Sequence, residues 1–455
     1  MTDELRILAV NGMLGYGYPV ESLDAGLALA PHLLGVDSGS TDAGPFYLGA
    51  GASLVRPEQI ERDLRPALVR AVRHRVPLVI GSAGFAGASA NVDLLLGILR
   101  RIAREEGLAF RLAVIRTDVD PGTVVAALRA GLVEPMAGVP ELTEEAVRAS
   151  SNVVAQIGVE PIAAALARGA DVVVCGRACD TAIYAALPIA RGFDPGLALH
   201  MAKILECGAQ CAIPLAPNDS LLGILRRDHF LIRTLAEGRG VTAESVAAHT
   251  LYEQPDPLWL AEPEGRVDLS GAEFEEVDPR TVRVSGARLV PWDRPLRLKL
   301  EGARRVGARA FVLAGIADRD VIASLPLIEE TVRGAVERNL PDRIRAAGYT
   351  LGFRVYGRDA VLGDTAPAGP PPREVGVLIE AIADAQDDAN AVCSLARSSF
   401  LHCPFPGRKT TAGNLAFPFS PSDAEGGDVY EFSVYHLMQV DDQPALFPVE
   451  LEEIR

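Results

Sequence analysis

The residues 176–181 (GRACDT) gather a cation, a thiol, a carboxylate and a hydroxyl in one short stretch. Arg177 could clamp an anionic substrate there, and Asp180 could hold a polar group of it. Residues 37–42 (DSGSTD) add two carboxylates and three hydroxyls. Asp37 or Asp42 could serve as a general base, with Ser38, Ser40 and Thr41 binding substrate. The same run of turn formers could equally satisfy its own backbone as an Asx-type turn. Residues 81–87 (GSAGFAG), which include Ser82 and Gly84, could cradle a carboxylate or phosphate on free backbone N–H groups. Their bland alternative is a tight turn with close helix packing.

Further along, His200, Cys207 and Cys211 are spaced seven and four apart, which places them on one face if residues 195–211 form a single helix. Cys175 and Cys179 add two thiols, so a zinc site is conceivable from ligand types alone. The spacing matches no zinc ribbon, however, and buried cysteine behaves as a small hydrophobe; no metal is expected. His200 instead reads as a base, with Glu206 beside it as an acid/base partner. His249 and Glu253 could meet on one helical turn. Residues 402–414 (HCPFPGRKTTAGN) are locally basic, and Arg408 and Lys409 could hold a carboxylate or the phosphates of a thioester. No dinucleotide fingerprint, phosphate-binding G-x-x-x-x-G-K-[ST] loop, G-x-S-x-G elbow or H-E-x-x-H occurs, so no nucleotide cofactor is expected.

These residues need elements to hold them. β-Branched or apolar runs at 6–10, 33–37, 76–80, 110–115 and 171–175 read as strands, with amphipathic stretches at 56–75 and 91–106 between them. Residues 153–182 read as a βαβ unit. Asn11, Asp37, Ser82, Asp118 and Asp180 all fall just after expected strands, and in an open α/β sheet those ends share one edge, where ligands bind. That coincidence is the strongest argument for a site. Residues 1–240 are therefore expected to form an α/β domain with a doubly wound, mostly parallel sheet. Residues 241–455 are expected to form an α+β domain, with a sub-boundary at the Pro-rich residues 366–372. Strands near 296–301, 308–315, 349–356, 375–381 and 429–437 and helices at 319–338 and 385–399 belong to it.

Composition narrows the function classes. Of the 455 residues 49% are hydrophobic but only 5% aromatic, which suits helices on a parallel sheet better than a β-sandwich. A net charge of −16 argues against nucleic-acid partners, because phosphate contacts need a positive field. Six cysteines are too sparse for a disulfide scaffold and fit a reducing cytoplasm. The opening MTDELRILAV lacks the pattern of a secretory leader, and no long uncharged apolar run suggests a membrane span.

The segments VNGMLGYG, DSGSTDAGP, GSAGFAG, VEPIAAALARGADVVVCGRACDTA, HMAKILECGAQ, SVAAHTLYE, TAGNLAFPFSPSD and YEFSVYHLM occur in this order. Together they resemble the acyclic terpene utilisation protein family over nearly the whole chain. The resemblance implies a role in bacterial breakdown of citronellol- and geraniol-type terpenes, whose intermediates are coenzyme A thioesters. It also implies a small partner protein or extra domain in some relatives, and it carries no settled catalytic set. The leading expectation is a cytoplasmic, homo-oligomeric lyase or hydratase acting on a carboxylate or acyl-CoA substrate. Asp37, Asp42 or His200 would be the base, and Arg177 the anion clamp. A metabolite-binding subunit and a metal-dependent hydrolase are the alternatives.

Overall fold

The computed structural model describes residues 3–216, 218–293, 296–365, 369–409 and 413–455, excepting the side chain of residue 364. The chain divides into two compact units, residues 1–304 with 432–455, and residues 305–431. The division expected at residue 240 thus falls inside the first unit, because strands on both sides of it extend the same sheet.

That sheet has ten strands: β1 (Leu5–Ala9), β2 (Leu33–Asp37), β3 (Leu78–Gly81), β4 (Phe110–Ile115), β5 (Val172–Cys175), β6 (Leu221–Leu225), β7 (His229–Thr234), β8 (Glu273–Asp278), β9 (Thr281–Ser285) and β10 (Val449–Ile454). Their order is β8-β9-β7-β6-β1-β2-β3-β5-β4-β10. The five strands from β1 to β4 in that order are parallel, and every other pairing is antiparallel. The sheet is mixed, with the expected parallel part at its centre. Continuous apolar runs such as Val172–Cys175 form these central strands because both faces are covered. Ile7, Leu33, Val79 and Val173 pack beneath helices α3 (Asp180–Ala190) and α4 (Pro195–Leu205). Leu8, Leu34, Ile80 and Val174 pack on the other face with Leu64 and Leu68 of helix α1 (Pro57–His74) and with Leu95 and Leu99 of helix α2 (Ser89–Glu106).

Three local expectations change. Asn152–Gln156 does not join the parallel sheet; it pairs antiparallel with residues 299–303, so residues 153–182 are not a βαβ unit of one sheet. The expected strands near 296–301 and 308–315 are one strand, Leu296–Ile316. The expected helix 195–211 ends at Leu205, where the chain turns out, and Cys207 takes a left-handed conformation with φ 46°.

In the second unit, Tyr349–Tyr356 pairs with Val375–Ala383, which pairs with residues 308–316, all antiparallel. Helices Leu325–Asn339 and Gln386–His402 bury Val332, Val336, Val392 and Phe400 against them, an α+β arrangement. The expected helix 319–338 is broken at Ser324. Of the Pro-rich residues 366–372, 366–368 lie outside the described residues. Among the described residues no helix is long and apolar enough to cross a membrane.

Candidate functional site

Parallel strands β2, β3 and β5 end side by side, so the loops that follow them meet at one edge of the sheet. Their backbones are in direct contact. A Cβ on Gly39 would stand 1.9 Å from the Phe85 carbonyl oxygen. One on Gly87, at φ +73°, would stand 2.2 Å from the Arg177 nitrogen. Glycine is needed at both positions for the loops to pack this closely. The strands that precede Asn11, Asp37, Ser82, Asp118 and Asp180 are parallel neighbours, so the edge expected to gather these residues is formed.

Arg177 is buried, and its backbone N–H donates to Thr117 Oγ1 at 2.6 Å. Its Nε donates to Glu301 Oε2 at 2.9 Å and its Nη1 to Ser82 Oγ at 3.0 Å. Glu301 is fully buried; it also receives Lys299 Nζ at 2.7 Å and the Thr41 hydroxyl at 3.0 Å. Burial alone would raise a carboxyl's pKa, but the two cations overcome it and hold Glu301 at about 2. Two cations thus share one ionised carboxylate, leaving this cluster with a net positive charge.

Both cations line an open cavity of about 450 Å³, together with Ser40, Asp42, Gln156, Cys179, Asp180, Thr181, Lys203, Glu206, Glu253 and Glu262. Such a volume suits a small molecule. The surroundings of two of the carboxyl groups favour their protonated forms. Burial pushes Glu262 up to about 8, although the Thr181 hydroxyl donates to its Oε2 at 2.6 Å and the Cys179 thiol at 3.1 Å. Glu206 is raised well above the usual range by burial and by the Asp180 carboxyl within hydrogen-bonding reach, despite its ion pair with Lys203. Arg177 Nη1 lies 3.7 Å from Asp180 Oδ1.

Asp37 sits behind this wall, only 8% exposed, and among the described residues its Oδ1 has no hydrogen-bond partner. Burial and then Asp180 raise its pKa well above the usual range, against the pull of Arg177. Next to it on the chain, the buried Ser38 Oγ is also without a partner among the described residues, as is the Tyr184 hydroxyl on α3. Gly35, two residues before Asp37 and so on the same strand face, makes room for the Tyr184 ring: a Cβ there would lie 2.5 Å from it.

Other expected site residues have structural partners. Asn11 organises its own loop, donating to the Met13 and Gly17 carbonyls at 2.8 and 3.1 Å. Asp118 accepts from the Ser89 N–H and hydroxyl at 3.0 and 2.7 Å, at the start of the helix Ser89–Glu106. Gly84, at φ +61°, packs against the backbone of Asn91, which fits the tight-turn reading of its loop. Asp42 is exposed at the cavity mouth, its N–H donating to Ser40 Oγ.

His200 is fully buried, edge-on to Phe230 and Phe274, with Nε2 3.1 Å from Thr250 Oγ1, and burial lowers its pKa to about 3. The structure does not bring it to the cavity. The Cys/His face proposed for a metal is not formed either, because the helix ends before Cys207 and Cys211 bonds to the Gly208 carbonyl. Among the described residues no group of three or more His, Cys, Asp or Glu is arranged to hold a metal ion. Arg408 and Lys409 belong to the second unit, where they contact the His402 carbonyl and Asp320; Thr410 and Thr411 lie outside the described residues.

Sequence reasoning missed Lys203, Glu262, Lys299 and Glu301. The Leu-x-Leu-x-Leu alternation of residues 296–300 places Lys299 and Glu301 on the face opposite the leucines, which reads as a solvated face. A family model described as acyclic terpene utilisation family protein AtuA matches residues 57–216 and 221–417. Neither a curated protein nor a solved structure matches the chain.

Proposed function

The chain belongs to the acyclic terpene utilisation family, and from that premise we propose a cytoplasmic lyase or hydratase that moves a proton at a carbon next to a carboxylate or thioester carbonyl. The observation that carries this reading is one polar cavity holding both a net positive Arg177–Glu301–Lys299 cluster and two carboxyls, Glu262 and Glu206, whose pKa values burial raises above the usual carboxylate range, Glu262 to about 8. In the reaction, the substrate's acyl oxygens face Arg177 and Lys299, whose charge stabilises the enolate as it develops. Ionised Glu262 takes the proton from the adjacent carbon. A carboxylate whose pKa lies near the operating pH is both available and basic enough for that step. The leaving heteroatom departs beside Asp180 and Glu206, and Glu206 in its protonated form gives its proton to it when it leaves as hydroxide. A carbon–carbon double bond remains; run backwards, the same steps add water.

The wall contributes few apolar side chains, Leu260 and Ala261 among them. It therefore supports recognition of the polar, reacting end of a substrate rather than of a terpenoid hydrocarbon tail.

The test is incubation of the purified protein in deuterated water with short carboxylic acids and their coenzyme A thioesters, followed by proton NMR. Loss of the signal beside the carbonyl, or appearance of an alkene, is expected, and it should disappear in Glu262→Gln. Binding of an acid with neither exchange nor conversion would replace this reading with that of a metabolite-binding subunit.

A further inference from the structure

Of the six cysteines, Cys175, Cys211, Cys393 and Cys403 are buried, whereas Cys179 is half-buried and lines the cavity. A buried cysteine packs as a small hydrophobe, but the Cys179 sulfur has a polar partner. Its thiol donates to Glu262 Oε2 at 3.1 Å, and the Thr181 hydroxyl donates to the same oxygen at 2.6 Å. Thr181 therefore orients the carboxylate that faces the sulfur. Thr181, Glu262, Arg177 and Lys299 all line the same cavity as the thiol. A thiol, a carboxylate placed to take its proton and a third group that orients the carboxylate make the arrangement of an activated nucleophile.

The chain holds the sulfur in place. Strand β5 ends at Cys175 and α3 begins at Asp180, so Cys179 is the residue just before the first helical turn, with φ −66° and ψ 132°. Its N–H donates to the Ile157 carbonyl at 2.8 Å, and its carbonyl accepts the Ala182 N–H at 2.9 Å. The positive end of α3 favours negative charge developing on the sulfur or on an oxygen beside it. We propose that Cys179 is a nucleophile with Glu262 as its base, and that the cavity moves the acyl group of a thioester onto this sulfur.

Burial, and then the Glu262 carboxyl, push the thiol's pKa well above its usual range, so its proton has to leave as the sulfur attacks. That proton passes to ionised Glu262 while Sγ bonds to the carbonyl carbon. The carbonyl electron pair moves onto oxygen, where Arg177 and Lys299 stabilise it. When the pair returns, the bond to the leaving sulfur breaks, and Glu262 gives its proton to that sulfur. The products are an acyl group on Cys179 and a free thiol, with nothing oxidised or reduced. A thioester fits because the attacking and leaving groups are both thiols, so one carboxylate serves both proton transfers. A free carboxylate cannot take this path, since its leaving group would be an oxide ion. The step shares the cavity and Glu262 with the proposed function, but it needs no hydrogen on the carbon next to the carbonyl.

The test is to mix the full chain with acetyl-coenzyme A or benzoyl-coenzyme A, quench in acid at successive times and weigh the intact protein by mass spectrometry. Benzoyl-coenzyme A has no hydrogen on the carbon beside its carbonyl, so the proposed proton transfer is closed to it. A gain of one acyl group is expected, on the peptide that carries Cys179, and hydroxylamine should remove it. Glu262→Gln should slow its formation about a hundredfold. Cys179→Ala should abolish it, with circular dichroism unchanged in both variants; if either variant does not fold, the peptide map of the unaltered protein decides. Acylation of Cys207, the other half-buried thiol, as fast as that of Cys179 would mean exposure alone and overturn the proposal. So would the lack of a mass gain with both thioesters. Deuterium exchange beside the carbonyl of acetyl-coenzyme A without a mass gain would overturn it and leave the proposed function standing. Acylation without exchange would do the reverse.

Discussion

Two buried polar clusters share one edge of the main sheet and differ in how their charges are arranged. Around Glu301, opposite charges alternate and each oxygen has a donor: Arg177 and Lys299 on either side and Thr41 above. Around Asp37, burial and then the Asp180 carboxyl oppose ionisation, and among the described residues the Asp37 Oδ1, Ser38 Oγ and Tyr184 hydroxyl lack hydrogen-bond partners. The first arrangement is complete without a ligand and fixes where the loops stand. The second is costly as it is, and a protein keeps such a group where something else is to be bound.

The largest expected effect comes from breaking the complete cluster. Glu301→Gln leaves Arg177 and Lys299 buried without their shared counter-charge, and should cost about 3–5 kcal/mol in denaturant unfolding. Gly87→Ala attacks the same cluster through the backbone, since the new Cβ would meet the Arg177 nitrogen at 2.2 Å and sit at an unfavourable φ. A loss of about 2–4 kcal/mol is expected, and a smaller one would show that the two loops can separate cheaply.

The pH dependence of stability distinguishes the ionised acid from the protonated one. Glu301 is held at about 2, below its unfolded value, so its contribution is full above the ordinary carboxylate range and is lost as pH falls towards 2. Glu262 is held at about 8, above its unfolded value, so its contribution is full below the ordinary carboxylate range and is lost as pH rises through 8. Melting curves from pH 5 to 9 should therefore fall on the alkaline side, and Glu262→Gln should reduce that fall by on the order of 2 kcal/mol. An unchanged alkaline arm would remove Glu262 from the set of protonated acids.

The smallest effect is expected in the incomplete cluster. Asp37→Asn removes a buried carboxyl whose ionisation is opposed by burial and then by Asp180, so stability at pH 8 should stay the same or rise by about 1 kcal/mol. A loss as large as that of Glu301→Gln would mean that Asp37 is structural and that the two clusters do not differ in kind.

The sequence by itself determined the central parallel strands, since runs such as Val172–Cys175 are apolar on both faces and must be covered on both. It also determined that Asn11, Asp37, Ser82, Asp118 and Asp180 would share an edge, because parallel neighbours put their strand ends together. It carried the family as well, through segments spread over the length of the chain.

The tertiary structure decided the rest. His200 has the residue type of a base, yet the packing of Phe230 and Phe274 places it in the core. Cys207 and Cys211 have helical spacing, yet the helix stops at Leu205. Glu301 lies on the polar side of an alternating strand, where periodicity indicates solvent. It is fully buried because residues 299–303 pair with Asn152–Gln156 and the loops after β2 and β5 supply Thr41 and Arg177 as partners. Local periodicity records which face of an element is apolar; whether the other face meets water or a second charge depends on segments more than a hundred residues away.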